Sequence, residues 1–158
     1  MSDRIAEMYE YVWEYIELLK RLEKAQKKFV GYSERYASLL QKEGVLSTLS
    51  FIASKSSHDA RKGLSRGVEG HSDEKLVEKL KDVKAEALAH SILYDCYAGW
   101  LVKRGLVNVG EGYVDDPLIV IKKIAEGFGD LGLKYRITEE LSRLAIAVKY
   151  LATGEFGE

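Results

Sequence analysis

The sequence predicts an all-α protein, a single bundle of about six or seven helices with at most a tiny hairpin. Three observations carry this: apolar residues recur at three- and four-residue steps, capping residues alternate with glycine breaks, and no run of alternating strands appears. At 158 residues the chain has the length of one domain, and 46% hydrophobic against 31% charged gives it a core.

The first helix begins near Asp3, where Ile5, Met8, Val12, Ile16, Leu19 and Leu22 mark one face, widened by Tyr9, Trp13 and Tyr15. Phe29-Val30-Gly31 reads as a break, after which Ser33 caps a shorter helix through Leu40. Gly44 is a second break, followed by a nearly all-apolar helix from Val45 to about Lys55. From Ser56 to about Ser72 the pattern gives way to Ser, Gly, Arg, Lys and His, which predicts a flexible basic loop. Ser72 or Asp73 then caps a short helix carrying Leu76, Val77 and Leu80.

A second run follows from Val83 to Arg104, and its segment Ala87 to Val102 is apolar almost all round, which places it at the centre of the bundle, with Gly99 beside Trp100 permitting a close approach. Gly105 to Val114 reads as a Gly-rich loop. Asp116-Pro117 starts a helix through Ala125, and Thr138 caps a last one with Leu141, Leu144, Ala145, Val148 and Leu151 on its face.

Lys plus Arg at 24 against Asp plus Glu at 25 leaves a net charge of −1, which argues against a strongly basic nucleic-acid binder without excluding local patches. The single Cys, Cys96, excludes an intramolecular disulfide framework and a multi-Cys zinc site. With no apolar stretch of membrane-spanning or signal length, a cytoplasmic protein is expected, and no membrane partner. One Pro, one Asn and two Gln among abundant Glu and Lys match the habit of thermophile proteins.

The motifs are weak. Gly127-Phe128-Gly129-Asp130-Leu131-Gly132 fits GxGxxG, but a helix precedes it where a nucleotide site needs a strand, so it reads as a helix stop and turn. His58, His71 and His90 form no metal-binding ladder, and neither metal nor cofactor is expected. Asp95 interrupts the most apolar helix and, with Ser91 one turn earlier, reads as a narrow polar strip.

Charge is more informative. Asp3, Glu7, Glu10, Glu14 and Glu17 precede Lys20, Arg21, Lys24, Lys27 and Lys28 along the first helix, an order that suits the helix dipole as a solvated face. The competing reading joins that basic ridge to Lys55, Arg61, Lys62 and Arg66 as a surface for RNA phosphates. The acidic and basic ends could also pair between copies.

The stretch Tyr36 to Lys55 resembles the small-subunit family of type III-B CRISPR effector complexes, the Cmr complexes. Gly44, Thr48, Leu49, Phe51 and Lys55 fall on that family's pattern, Leu40, Val45 and Ile52 are apolar replacements, and Ala37 and Glu43 stand where the family has Pro and Asn. Tyr97 to Leu101 is similar to its aromatic-Trp-Leu helix and Leu144 to Val148 to its closing helix. The resemblance implies a non-catalytic helical subunit that stacks in several copies among other Cmr subunits and steadies guide RNA and target RNA through backbone contacts in antiviral defence. Two alternatives remain open. Arg66 and His71 match the Arg-x-x-x-x-His pattern of the HEPN ribonucleases, in which Arg binds phosphate and His moves a ribose proton, though Gly67 and Gly70 disfavour the helix that pattern sits on. The other is a helical protein–protein adaptor without nucleic acid.

Overall fold

A helix apolar on every side is stable only inside other helices, and the computed structural model, which describes residues 3–67, 71, 73–110 and 112–157, is arranged around one such helix. Eight α-helices follow in order: α1 (Arg4–Lys20), α2 (Gln26–Lys55), α3 (His58–Leu64), α4 (Glu74–Lys81), α5 (Ala85–Lys103), α6 (Gly112–Asp115), α7 (Ile119–Gly127) and α8 (Leu131–Phe156). A 3₁₀ turn, Glu23–Ala25, joins α1 to α2. The count is thus one above the sequence expectation. No strand occurs among the described residues, and the end of the expected Gly-rich loop, from Gly112 on, belongs to α6.

Every residue of α5 from Leu88 to Ala98 is buried. Helices α1, α2, α3 and α8 surround it, and Trp100, Tyr94, Tyr97, Leu49, Ile52 and Ile16 are fully enclosed. Gly99 does permit a close approach, and what approaches is a side chain: a Cβ there would meet the Tyr11 hydroxyl at 2.8 Å.

The first break falls at Leu22, not at Phe29-Val30-Gly31. Leu22 has φ −128° and ψ 65°, and the Gln26 side chain donates to the Leu19 carbonyl at 2.9 Å, closing the corner. Gly31 sits exposed inside α2, and Ser33 caps nothing, its hydroxyl donating back to Val30 O at 2.7 Å. A single glycine in a helix lowers propensity by only about 1 kcal/mol, which tertiary packing overrides. Gly44 is the true break within α2, at φ 85° and ψ −178°. The halves fold toward each other there: Tyr36 and Phe51 are fifteen residues apart, about 22 Å along a straight helix, yet their rings are 5.9 Å apart.

Three caps differ from expectation. Ser57 caps α3, accepting from Ala60 N at 3.2 Å, so residues 58–64 of the expected loop are helical, packed through Ala60 and Leu64; residues 68–70 and 72 lie outside the described residues. Helix α7 starts two residues after Pro117 and ends on Gly127 rather than Ala125. The last helix starts seven residues before Thr138, because Asp130 accepts from Leu133 N at 3.1 Å and caps it. The GxGxxG stretch is therefore the stop of α7 and the start of α8, as its preceding helix implied.

Gly44 occupies backbone space that is essentially glycine-only, so Gly44→Ala should lower unfolding free energy by about 1–3 kcal/mol. Gly31→Ala, on an exposed helical site with no atom within 4 Å, should raise it by about 0.5–1 kcal/mol. Urea titration of both variants reads the difference, and equal effects would remove Gly44 as the bend.

Candidate functional site

The basic ridge expected to face phosphates is largely spent inside the molecule. Lys20 meets Glu17 at 3.3 Å and Glu155 at 3.4 Å and lies over the Trp13 ring. Arg21 pairs with Glu74 at 2.5 Å, Lys28 with Glu86 at 3.5 Å, and Lys24 donates to the Lys81 carbonyl. Of the five, Lys24 and Lys27 are exposed without an ion-pair partner among the described residues, and Lys27 has no hydrogen bond there either. The ridge is also not one helix, since it crosses the end of α1, the 3₁₀ turn and the start of α2. Arg61 is buried, donating to Ala53 O at 3.3 Å and to the Ser56 hydroxyl, which fixes the α2–α3 corner. Lys55 lies over the Phe51 ring, 5.8 Å from its centroid.

Lys62 and Arg66 behave differently. They line a groove of about 580 Å³ between α3 and α4, together with Lys75 and Lys79 of α4. All four are exposed, and none is in an ion pair among the described residues. Asp59, Asp73 and Asp115 line the same groove, but Asp73 is committed to capping α4 through Lys75 N at 3.0 Å. The groove floor, Ala60, Leu76 and Leu80, is apolar.

Beside it, α1, α5 and α6 enclose a polar cluster. Asp95 is 2% exposed and accepts from Tyr15 at 2.6 Å on Oδ2 and from Tyr113 at 2.6 Å on Oδ1. Tyr11 donates to the Cys96 carbonyl at 2.8 Å. Burial raises the pKa of all three tyrosines, and the Asp95 charge adds to this, so they stay protonated donors. Burial likewise pushes up the Cys96 thiol, which is an enclosed hydrophobe rather than a nucleophile. Ser91, the other member of the expected strip, serves a different purpose: it accepts from Ser57 N at 2.9 Å, tying α5 to the start of α3. The sequence signals for the cluster were the charge inside an apolar helix and two tyrosines one turn apart.

Arg66 and His71 share no helix, since α3 ends at Leu64 and α4 begins at Glu74. Arg66 is exposed and His71 is 6% exposed, its Nε2 3.8 Å from Asp95 Oδ2. His90 is held on both sides: Nδ1–H donates to Glu86 O at 2.8 Å, and Nε2 accepts from the Tyr36 hydroxyl at 2.7 Å.

These features define a class: a small all-helical protein whose surface chemistry is a cationic groove at one flank and a tyrosine-ringed carboxylate beside it. The chain belongs to the CRISPR-associated protein (Cas_Cmr5) family, whose model matches residues 4–127, and is therefore a Cmr-type small subunit with other Cmr subunits as partners. Comparison with curated proteins and comparison with solved structures each give no match. Among the described residues no helix is long and apolar enough to cross a membrane. Of the residues that carry the family likeness, Gly44 makes the bend, Thr48 donates back to Gly44 O at 2.7 Å, and Leu49 and Ile52 fill the core. Phe51, 45% exposed, and Lys55 above it are surface features that no core requirement explains.

Burial lowers the pKa of His90 below its ordinary value. Below about pH 6.5 the unfolded chain binds this proton more readily than the folded one, so stability should fall as pH drops through that point. Protonation would also force the Tyr36 hydroxyl to turn away from Nε2. Urea unfolding at pH 7.5 and 5.5 should show a smaller acid loss in His90→Gln than in the parent; identical losses would contradict the assignment.

Proposed function

We propose that the chain is a non-catalytic small subunit of a type III-B Cmr complex, present in several copies, that steadies guide RNA and target RNA in antiviral defence by contacts to their phosphates. The observation that carries this beyond family membership is the α3–α4 groove, where Lys62, Arg66, Lys75 and Lys79 converge without ion-pair partners among the described residues. On the basic ridge, by contrast, Lys20, Arg21 and Lys28 meet carboxylates from α1, α8, α4 and α5. Cations left free along one apolar-floored channel suit a sequence-independent backbone contact, because a phosphate needs only charge and donors. The near-neutral total charge fits a subunit that meets RNA only when partners hold it in place.

In the reconstituted complex, replacing Lys62, Lys75 and Lys79 together by Gln should weaken RNA retention whatever the sequence and flatten the log–log salt slope by about 2, since each lost phosphate contact removes about 0.7. Assembly and thermal stability should be unchanged. Parent-like retention across a salt series would move the RNA contact away from this groove.

The same reading expects no ribonuclease activity. Catalysis needs Arg and His on one reacting centre within hydrogen-bond reach, and here one points to solvent from beyond α3 while the other is enclosed beside Asp95. RNA cleavage by the purified chain that vanishes in Arg66→Ala, His71→Ala would overturn the non-catalytic assignment.

A further inference from the structure

A carboxylate in the middle of a buried helix must be hydrogen-bonded, and Tyr15 and Tyr113 meet that need for Asp95. The cluster they form is not sealed. Above it opens a pocket of about 400 Å³, within the range of small-ligand sites, whose walls include Gly67, Gly99 and Gly110 and whose rim carries Arg66 and Lys103.

The hydrogen-bond count defines what the floor would accept. Tyr15 and Tyr113 give their protons to Asp95, and Tyr11 gives its proton to Cys96 O. A carboxylate has about four acceptor sites and a hydroxyl two, so what the floor retains is acceptor capacity, and the next group to enter must donate. His71, 6% exposed, has no hydrogen-bond partner on either ring nitrogen among the described residues and stands 3.8 Å from Asp95 Oδ2. His71 does not line the pocket, and what it shows is that the buried cluster around Asp95 is incompletely paired. The rim asks for the opposite chemistry, because Arg66 and Lys103 both present positive charge.

A ligand suited to both ends carries a donor at one end, an anion at the other, and something flat between them, since Gly67 and Gly110, with nothing within 4 Å of where a Cβ would stand, let a ring lie close to backbone. A free amino acid carries both charges on one carbon and would leave most of the volume empty. We propose that this pocket binds a nucleoside monophosphate unit whose base bears an exocyclic amine, the amine donating to the Asp95–tyrosine floor and the phosphate resting between Arg66 and Lys103. The base lies against Gly110 and Val102. The unit can arrive as a free nucleotide or as an unpaired nucleotide of an RNA strand, and the chemistry is the same.

The test is a titration of the isotope-labelled full chain, followed by the backbone amide signals of Gly99, Val102 and Gly110. AMP, CMP or GMP should shift these signals saturably. Purine riboside 5′-monophosphate, which lacks the amine, and adenosine, which lacks the phosphate, should each bind at least about tenfold more weakly than AMP. Arg66→Gln and Lys103→Gln, both at exposed positions, should each weaken AMP by about tenfold with the melting temperature unchanged. Tighter binding of tetra-adenylate than of AMP, with shifts at the same three amides, identifies an RNA nucleotide as the ligand; tighter binding of AMP identifies the free nucleotide. The pocket is overturned if no nucleotide or tetranucleotide shifts these amides at millimolar concentration, if the shifts fall elsewhere, or if AMP and its amine-free analogue bind equally. AMP alone reports the pocket, so failure of the α3–α4 groove as an RNA surface leaves this result untouched.

Discussion

Covering α5 on all sides is the constraint on which the rest of the structure depends. An amphipathic helix needs one partner, whereas a helix buried without interruption from Leu88 to Ala98 needs a partner in every direction. Helix α1 alone cannot supply this, and α2 can do so only by bending, which places both its arms within reach of the core. Gly44 is therefore more than a local turn: a straight helix of thirty residues would run about 45 Å and leave the bundle. Enclosure also dictates where polarity is allowed. Among the described residues the two buried carboxylates are each met by donors from other elements, Asp95 by Tyr15 and Tyr113, and Glu140 by the Trp100 indole at 3.2 Å and by Arg104 at 3.5 Å.

Electrostatics follow from the same geometry. Helices wrapped round one axis bring distant charges side by side, and much of the basic character of the first thirty residues is absorbed by acids and a carbonyl from α4, α5 and α8. On the short α3–α4 unit Lys62, Arg66, Lys75 and Lys79 stay outside any ion pair among the described residues, although Asp59, Asp73 and Asp115 line the same groove. The chemistry of the surface is thus a remainder, set by which helices happen to have acidic partners across the bundle.

How much of this the residues announce depends on the range of the interaction. The class of fold, the central position of the 83–104 run, the bend at Gly44 and the stop at Gly127 are all visible, because periodicity and φ-permissive glycine are local properties. Gly31 and Ser33 misled because a weak local preference is overruled when the flanking residues Phe29 and Tyr36 are buried on one continuous face. The segment 58–64 hid its helix because seven residues with two buried apolar side chains carry too little periodic signal. Lys62 and Arg66 could be named from composition, but their partners Lys75 and Lys79 could not, since only the packing of α3 on α4 brings them together. The tyrosines of the Asp95 cluster lie 80 and 18 residues from it, and nothing local links them.

The first and last helices run side by side in the same direction, with Arg4 near Glu140 and Lys20 near Glu155. Parallel neighbours at opposite ends of a chain impose an order on biosynthesis. While α8 is still inside the ribosome, α1 and both arms of α2 are already outside, and the apolar surfaces that α8 will cover stay wet until it emerges. Contacts spanning so much sequence are the slowest to form, because the loop between them must close before they reward it. The protein is therefore most vulnerable to sticking to its neighbours in the interval between the emergence of α1 and the docking of α8.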